Sequence, residues 1–155
     1  MTIIDKIKQS VEQATGLPFV YDTPQTLNVR LDNIQLPCVM MQVVESGATA
    51  DENGVIREVI TAMVLFTDRT SLDFDGVTNE KEHLDKMKKA AFRWLLSLRR
   101  SDTLRLTQTG GTVRWYATND VIATAYGVTV TLEELEGVCY GGLETGHTSH
   151  TCGCS

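Results

Sequence analysis

Residues 78–100 read TNEKEHLDKMKKAAFRWLLSLRR, and the fold follows from how this stretch is read. Leu84, Met87, Ala91, Trp94, Leu95 and Leu98 recur at steps of three and four, so they line one face of an α-helix. Asn79, with Glu82 three residues on, reads as an N-cap and its reciprocal partner. Arg99 and Arg100 close the far end, where cations meet the negative pole of the helix dipole. At about 1.5 Å per residue the helix would span roughly 33 Å, the width of a small domain. No other segment is as long or as strongly periodic. The rest is expected to pack around this helix as β-structure and one shorter helix.

That shorter helix is expected over 2–15. Ile3, Ile4, Ile7, Val11 and Ala14 make its apolar face, Thr2 caps it with Asp5 in the first turn, and Gly16 and Pro18 end it. Phe19 to Tyr21 is β-prone. Leu27, Val29 and Leu31 alternate with polar residues, which suggests a short strand before a turn at Asp32-Asn33. Residues 36–45 are apolar at both parities and read as a central strand. Residues 46–54, SGATADENG, read as the polar loop of a long hairpin, and 55–67 as its return strand with Ile56, Ile60, Ala62, Val64 and Phe66 on one face. Residues 68–76 lead into the long helix. Beyond it, residues 103–109 alternate, and Gly110-Gly111 reads as a tight primed turn that would set Leu106 opposite Trp115 and Leu104 opposite Ala117. Asn119-Asp120 makes a further turn. The last strand puts Ile122, Thr124, Tyr126, Val128, Val130 and Leu132 on one face, and small residues on the other that suggest close packing by a helix or a neighbouring subunit.

Helices and hairpins are segregated in this order, which predicts an α+β fold with a mainly antiparallel sheet, the long central helix at about 78–100 and the short N-terminal helix packed on it. One domain is expected over 1–140. Residues 141–155, GGLETGHTSHTCGCS, read as a C-terminal tail, flexible or ordered by a partner.

The 155 residues, 42% of them hydrophobic, suffice for a real core. The formal charge of −6 disfavours nonspecific nucleic-acid binding and adhesion to anionic lipid. No apolar run reaches the ~18–20 residues of a membrane span. The start, MTIIDKIKQS, turns polar too soon for a secretory signal, so the expected setting is the cytosol or an assembly built there. Four cysteines are too few and too scattered for a disulfide scaffold, and Cys38, in an apolar strand, is expected to be a reduced core residue.

Chemistry is sparse. His83 flanks the apolar stripe of the helix amid Glu82, Asp85 and Lys86 and reads as a solvated surface histidine. Asp73-Phe74-Asp75-Gly76 is loosely calcium-like, but Val77 and Leu84 stand where an EF-hand needs oxygen ligands. Neither Gly110-Gly111 nor Gly141-Gly142 has the spacing of a phosphate loop. His147, His150, Cys152 and Cys154 form the one ligand-rich cluster. Two imidazoles and two thiolates could complete a tetrahedral zinc set, yet CxC is tighter than the usual spacing, and no metal is expected. No catalytic, cofactor-binding or metal residue is therefore assigned, no cofactor is expected, and the chain is not read as an enzyme. Lys88, Lys89, Arg93, Arg99 and Arg100 put positive charge on the helix, as a solvated face or as an electrostatic contact with an acidic neighbour.

The layout resembles bacteriophage tail-completion and tail-terminator proteins, the small neck proteins of head-tail joining. MTIIDKIKQSVEQATGLPFVYDTP is similar to their opening amphipathic helix and short strand, LPCVMMQVVESG to their Pro-led core strand, HLDKMKKAAFRWLLSL to the helix after the hairpin, and VIATAYGVTVTLEE to the closing strand. The resemblance implies a homo-oligomeric ring, often a hexamer, at the neck between tail tube and head connector. Its partners would be tail tube and head-connector proteins, its place the virion after assembly in the host cytoplasm, and it implies no catalysis. The hairpin at 46–54 would then reach a neighbouring subunit or line a lumen. The alternative from the residues is a small cytosolic ligand- or protein-binding α+β domain, with or without a zinc-binding Cys/His tail.

Overall fold

The computed structural model describes residues 1–21, 35–69, 75–117 and 123–139, with the backbone alone described for 115–117. Helix α1 spans Ile3–Thr15 and starts as expected. The Thr2 hydroxyl accepts from the Asp5 amide at 3.2 Å, while Asp5 Oδ2 accepts from the Thr2 amide at 2.8 Å. These reciprocal bonds satisfy two of the amides a helix start leaves unpaired. Gly16 ends the helix at φ 70°, a left-handed conformation that only glycine adopts without strain.

The remaining elements are β1 Phe19–Tyr21, β2 Cys38–Ala50, β3 Val55–Arg69, a 25-residue helix α2 over 76–100, β4 Leu104–Ala117, β5 Ala123–Glu134 and β6 Val138–Cys139. The sheet order is β1-β2-β3-β5-β4, with β6 also paired to β3. Among the described residues only the β1–β2 pair is parallel. This is the α+β architecture with a mostly antiparallel sheet that the segregated pattern predicts.

Helix α2 differs from its expected form at the start. Asp75 is the N-cap and accepts from the Thr78 amide at 2.7 Å; Asn79 lies inside the helix and caps nothing. The expected Asn79–Glu82 cap is thus corrected: Asp75 and Gly76 offer an earlier start. A π-helical turn follows over Glu80–Leu84, then α-helix over Asp85–Ser97 and a 3₁₀ turn over Leu98–Arg100. On an uninterrupted α-helix, residues five apart point about 140° away from each other. The wider π turn keeps Asn79 and Leu84, five apart, both on the buried face.

Two expected loops are strand. Residues 46–50 extend β2 against β3, with Ser46 opposite Ile60 and Ala50 opposite Ile56. The turn itself is confined to 51–54. Asp51 Oδ1 accepts from the Asn53 and Val55 amides at 2.9 and 3.0 Å, and Gly54 takes φ 76°. Cross-strand hydrogen bonding holds this polar stretch extended although it buries little. Gly110-Gly111 is no turn either: β4 runs on through it, and among the described residues only Gly16 and Gly54 have positive φ. The pair sits in a register shift between Thr109 and Thr112. A Cβ on Gly110 would lie 3.0 Å from Thr129 Cβ, so close cross-strand approach explains that glycine. Leu106 accordingly faces Leu132, and Trp115 pairs with Ala125, each on β5 rather than on the other.

Both helices cover one sheet face. Ile3, Ile7 and Val11 of α1 and Leu84, Met87, Ala91, Trp94 and Leu98 of α2 meet Val39, Met41, Ile60, Ala62, Val64, Phe66, Val128, Val130 and Leu132 in one core. Trp94, fully buried, lies 5.9 Å from Phe66 between ring centroids and donates to Ser10 Oγ at 2.9 Å, tying α2 to α1. On the opposite face, Leu65 and Val113 close over Gly127. The expected strand at 27–31, the turns at Asp32-Asn33 and Asn119-Asp120, Ile122 and the segment 141–155 lie outside the described residues.

Candidate functional site

From Ile60 to Phe66 the even-numbered side chains of β3 run apolar along the core; Asp68 follows, and its cross-strand partner is Thr124. At this end the core turns polar. The π turn of α2 brings His83 there, with Nδ1 3.1 Å from Asp68 Oδ2. Asn79, one turn earlier, donates to Thr124 Oγ1 at 3.0 Å and accepts from it at 3.2 Å. Asn79 and Thr124 are both buried, and the side chains of His83 and Asp68 are only 20% and 17% exposed. His83 is therefore not the solvated residue expected from its neighbours. The helix flank that carries it faces the end of β3, which local sequence does not reveal.

A carboxylate and an imidazole in contact invite a catalytic reading. The third member of such a set would be an accessible nucleophile. Thr124 is fully buried and its hydroxyl is already bonded to Asn79. The four side chains thus act as a polar clamp between helix and sheet, and the buried amide and hydroxyl satisfy each other.

The other titratable groups also have structural work. Asp75, the end of the calcium-like run, caps α2, and the Thr78 backbone amide holds its carboxyl below the ordinary range. Cys38 is a free, fully buried thiol, as expected, and burial pushes its pKa up to about 11, far from a nucleophilic thiolate. Lys6 is buried beneath α1, with Nζ 2.7 Å from Glu134 and 3.3 Å from Glu136. Burial opposes its charge, but the bonds to Glu134 and then Glu136 outweigh that, and its pKa lies above the ordinary lysine value. Cys139 of β6 is disulfide-bonded. His147, His150, Cys152 and Cys154 lie outside the described residues, and among the described residues no group of three or more His, Cys, Asp or Glu could hold a metal ion. No helix of the described residues is long and apolar enough to cross a membrane. The shallow depression along α1 is lined only by Asp5, Lys8, Gln9, Glu12 and Gln13 of that one helix.

Two surfaces stand out instead. The first is the hairpin arm of β2 and β3, where every residue from 44 to 53 is exposed. Beyond Met41 no described strand pairs with the outer edge of β2. The arm carries Glu45, Asp51, Glu52 and Glu58, and Glu133 of β5 joins them by accepting from Thr49 at 3.3 Å. The second is the outer face of α2. Phe92 and Leu96, four residues apart, are 44% and 62% exposed, and Lys88, Lys89, Arg93, Arg99 and Arg100 surround them on the same side of the helix. Lys88 lies 5.9 Å from the Phe92 ring centroid, a cation–π distance. The cations were legible in the sequence, and Phe92 and Leu96 fall off the apolar stripe of the helix; Phe92 also lies edge-on to Tyr126 at 6.0 Å between ring centroids. The sequence matches no family model and no curated protein.

Proposed function

We propose that the chain is a structural virion assembly protein of the tail-completion or tail-terminator kind. It forms a homo-oligomeric ring at the phage neck, between tail tube and head connector, and catalyses no reaction. The fold supports this reading by its order: a capped amphipathic helix, a Pro-led core strand, a long hairpin, a long helix and closing strands. The single observation that carries it is the β2–β3 arm. Ten successive exposed residues, seven of them in β-strand, bury almost nothing within the subunit. A long unpaired strand edge is a hazard to a free monomer and an asset to a subunit that pairs with others. Most buried apolar side chains join the core between helices and sheet, and Cys38 and Met40 form a second, smaller cluster.

The test is mass and partner binding together. Light scattering on the purified chain, alone and with candidate tail tube and head-connector proteins, should give a closed oligomer or a stoichiometric complex with one of them. A strict monomer at every concentration that binds neither protein would contradict the proposal.

A further inference from the structure

Charge is divided sharply in this molecule. Residues 86–100 hold six of the fourteen Lys and Arg and none of the twenty Asp and Glu. The rest of the chain, with eight cations against those twenty acids, stands at a formal −12. The six cations, Lys86, Lys88, Lys89, Arg93, Arg99 and Arg100, lie on the solvent side of α2, opposite Met87, Ala91, Trp94 and Leu98. At their centre are Leu96, 62% exposed, and Phe92, which packs edge-on against Tyr126 at 6.0 Å between centroids yet keeps 44% of its surface exposed. The arm has the complementary character. Glu45, Glu52 and Glu58 are exposed on it, and Val44 beside Glu45 is 63% exposed.

Building on the assembly reading above, we propose that copies of this chain associate head to tail: the basic, apolar-centred face of α2 in one copy receives the acidic β2–β3 arm of the next. Neither surface fits itself, because two arms or two α2 faces would bring like charges together. A two-fold dimer through either surface is therefore disfavoured. A heterologous contact between two different surfaces propagates from copy to copy, and it closes into a ring when the rotation permits. Phe92, Leu96 and Val44 supply desolvated contact at the centre, and the charges supply orientation and encounter rate.

Sedimentation velocity on the full chain tests this with a charge swap. Wild-type protein should associate in 50 mM NaCl and weaken about tenfold or more in 500 mM, since the pairs lie within reach of screening. K88E/R93E/R99E and E45K/E52K/E58K should each be monomeric, and an equimolar mixture of the two should associate again, because each variant's arm then fits the other's helix. L96D removes apolar contact at an exposed position and should lose association with wild-type circular dichroism, which separates lost assembly from lost folding. A wild-type chain that is monomeric at all concentrations, association that survives both reversals, or a mixture that stays monomeric would each overturn the inference. Tube and connector binding is read separately. A monomer that still binds either protein would refute the arm-to-helix contact alone, and arm-dependent oligomers that bind neither would refute the neck assignment alone.

Discussion

Lys6 shows how a single residue ties the N-terminal helix to the far end of the sheet. Its ammonium sits between Glu134 and Glu136, more than a hundred residues away in sequence. Replacing it by Met leaves Glu134, only 15% exposed, without its cation. The expected cost at neutral pH is roughly 2 kcal/mol, below that of a fully buried pair because Glu136 is solvated. The pH dependence has a definite sign. The pairing raises the lysine pKa, so its contribution is complete below the ordinary value of 10.5 and is lost as pH rises through the higher folded value. Urea titrations across that alkaline range should show the loss in wild type and not in K6M. The Asn79–Thr124 bond makes a second test. Asn79→Ala strands a buried hydroxyl and should cost about 1–3 kcal/mol, whereas N79L/T124V, which removes both polar partners, should cost less than N79A alone.

At the scale of elements, helix starts and strand ends respond to different rules. Asp75→Ala should lower Tm by roughly 2–4 °C in a thermal melt, as loss of an N-cap does, while Glu82→Ala should leave Tm unchanged, because the Asn79–Glu82 pairing is not the cap. Glycines in the sheet divide in the same way. Gly111 has open space where a Cβ would stand and no positive φ, so G111A should be within about 0.5 kcal/mol of wild type. In a primed turn the same change would be strained. Gly127→Ala should cost about 1 kcal/mol or more, since the new Cβ would meet Val113 Cγ2 at 2.6 Å and Leu65 Cδ2 at 2.7 Å. These contrasts mark where sequence reading worked. The stripe from Leu84 to Leu98 and the cap at Thr2 are local patterns, and both helices and the fold class followed from them. The glycine pair in β4 and the polar end of β2 misled, because what holds them extended is a partner strand distant in the chain. His83 misled for a related reason: the π turn and the approach of Asp68 are tertiary facts. The cations of α2 could be counted from the sequence, and Phe92 and Leu96 already fall off its apolar stripe; their degree of exposure is a tertiary fact.

On the scale of the whole molecule, the described apolar side chains form a main core between helices and sheet, a smaller cluster of Cys38 and Met40 with Val20, Leu36 and Leu65, and scattered exposed positions, of which Phe92 and Leu96 lie among cations. The polar clamp at the end of the core and the caged Lys6 use Asn79, Thr124 and Lys6, three of the four buried polar side chains among the described residues, to hold elements together. An acidic arm and a basic helix face are left facing outward, and the proposed arm-to-helix contact would join them. Metal should play no part in it: if the chain relied on zinc held by His147, His150, Cys152 and Cys154, chelation would dissociate the oligomer, whereas the arm-to-helix contact predicts no change in sedimentation with chelator. Negative-stain electron microscopy of the full chain mixed with tail tubes tests the central claim most directly. Rings seated on tube ends, absent with K88E/R93E/R99E alone, are the predicted result; bare tube ends among dispersed single particles would contradict it.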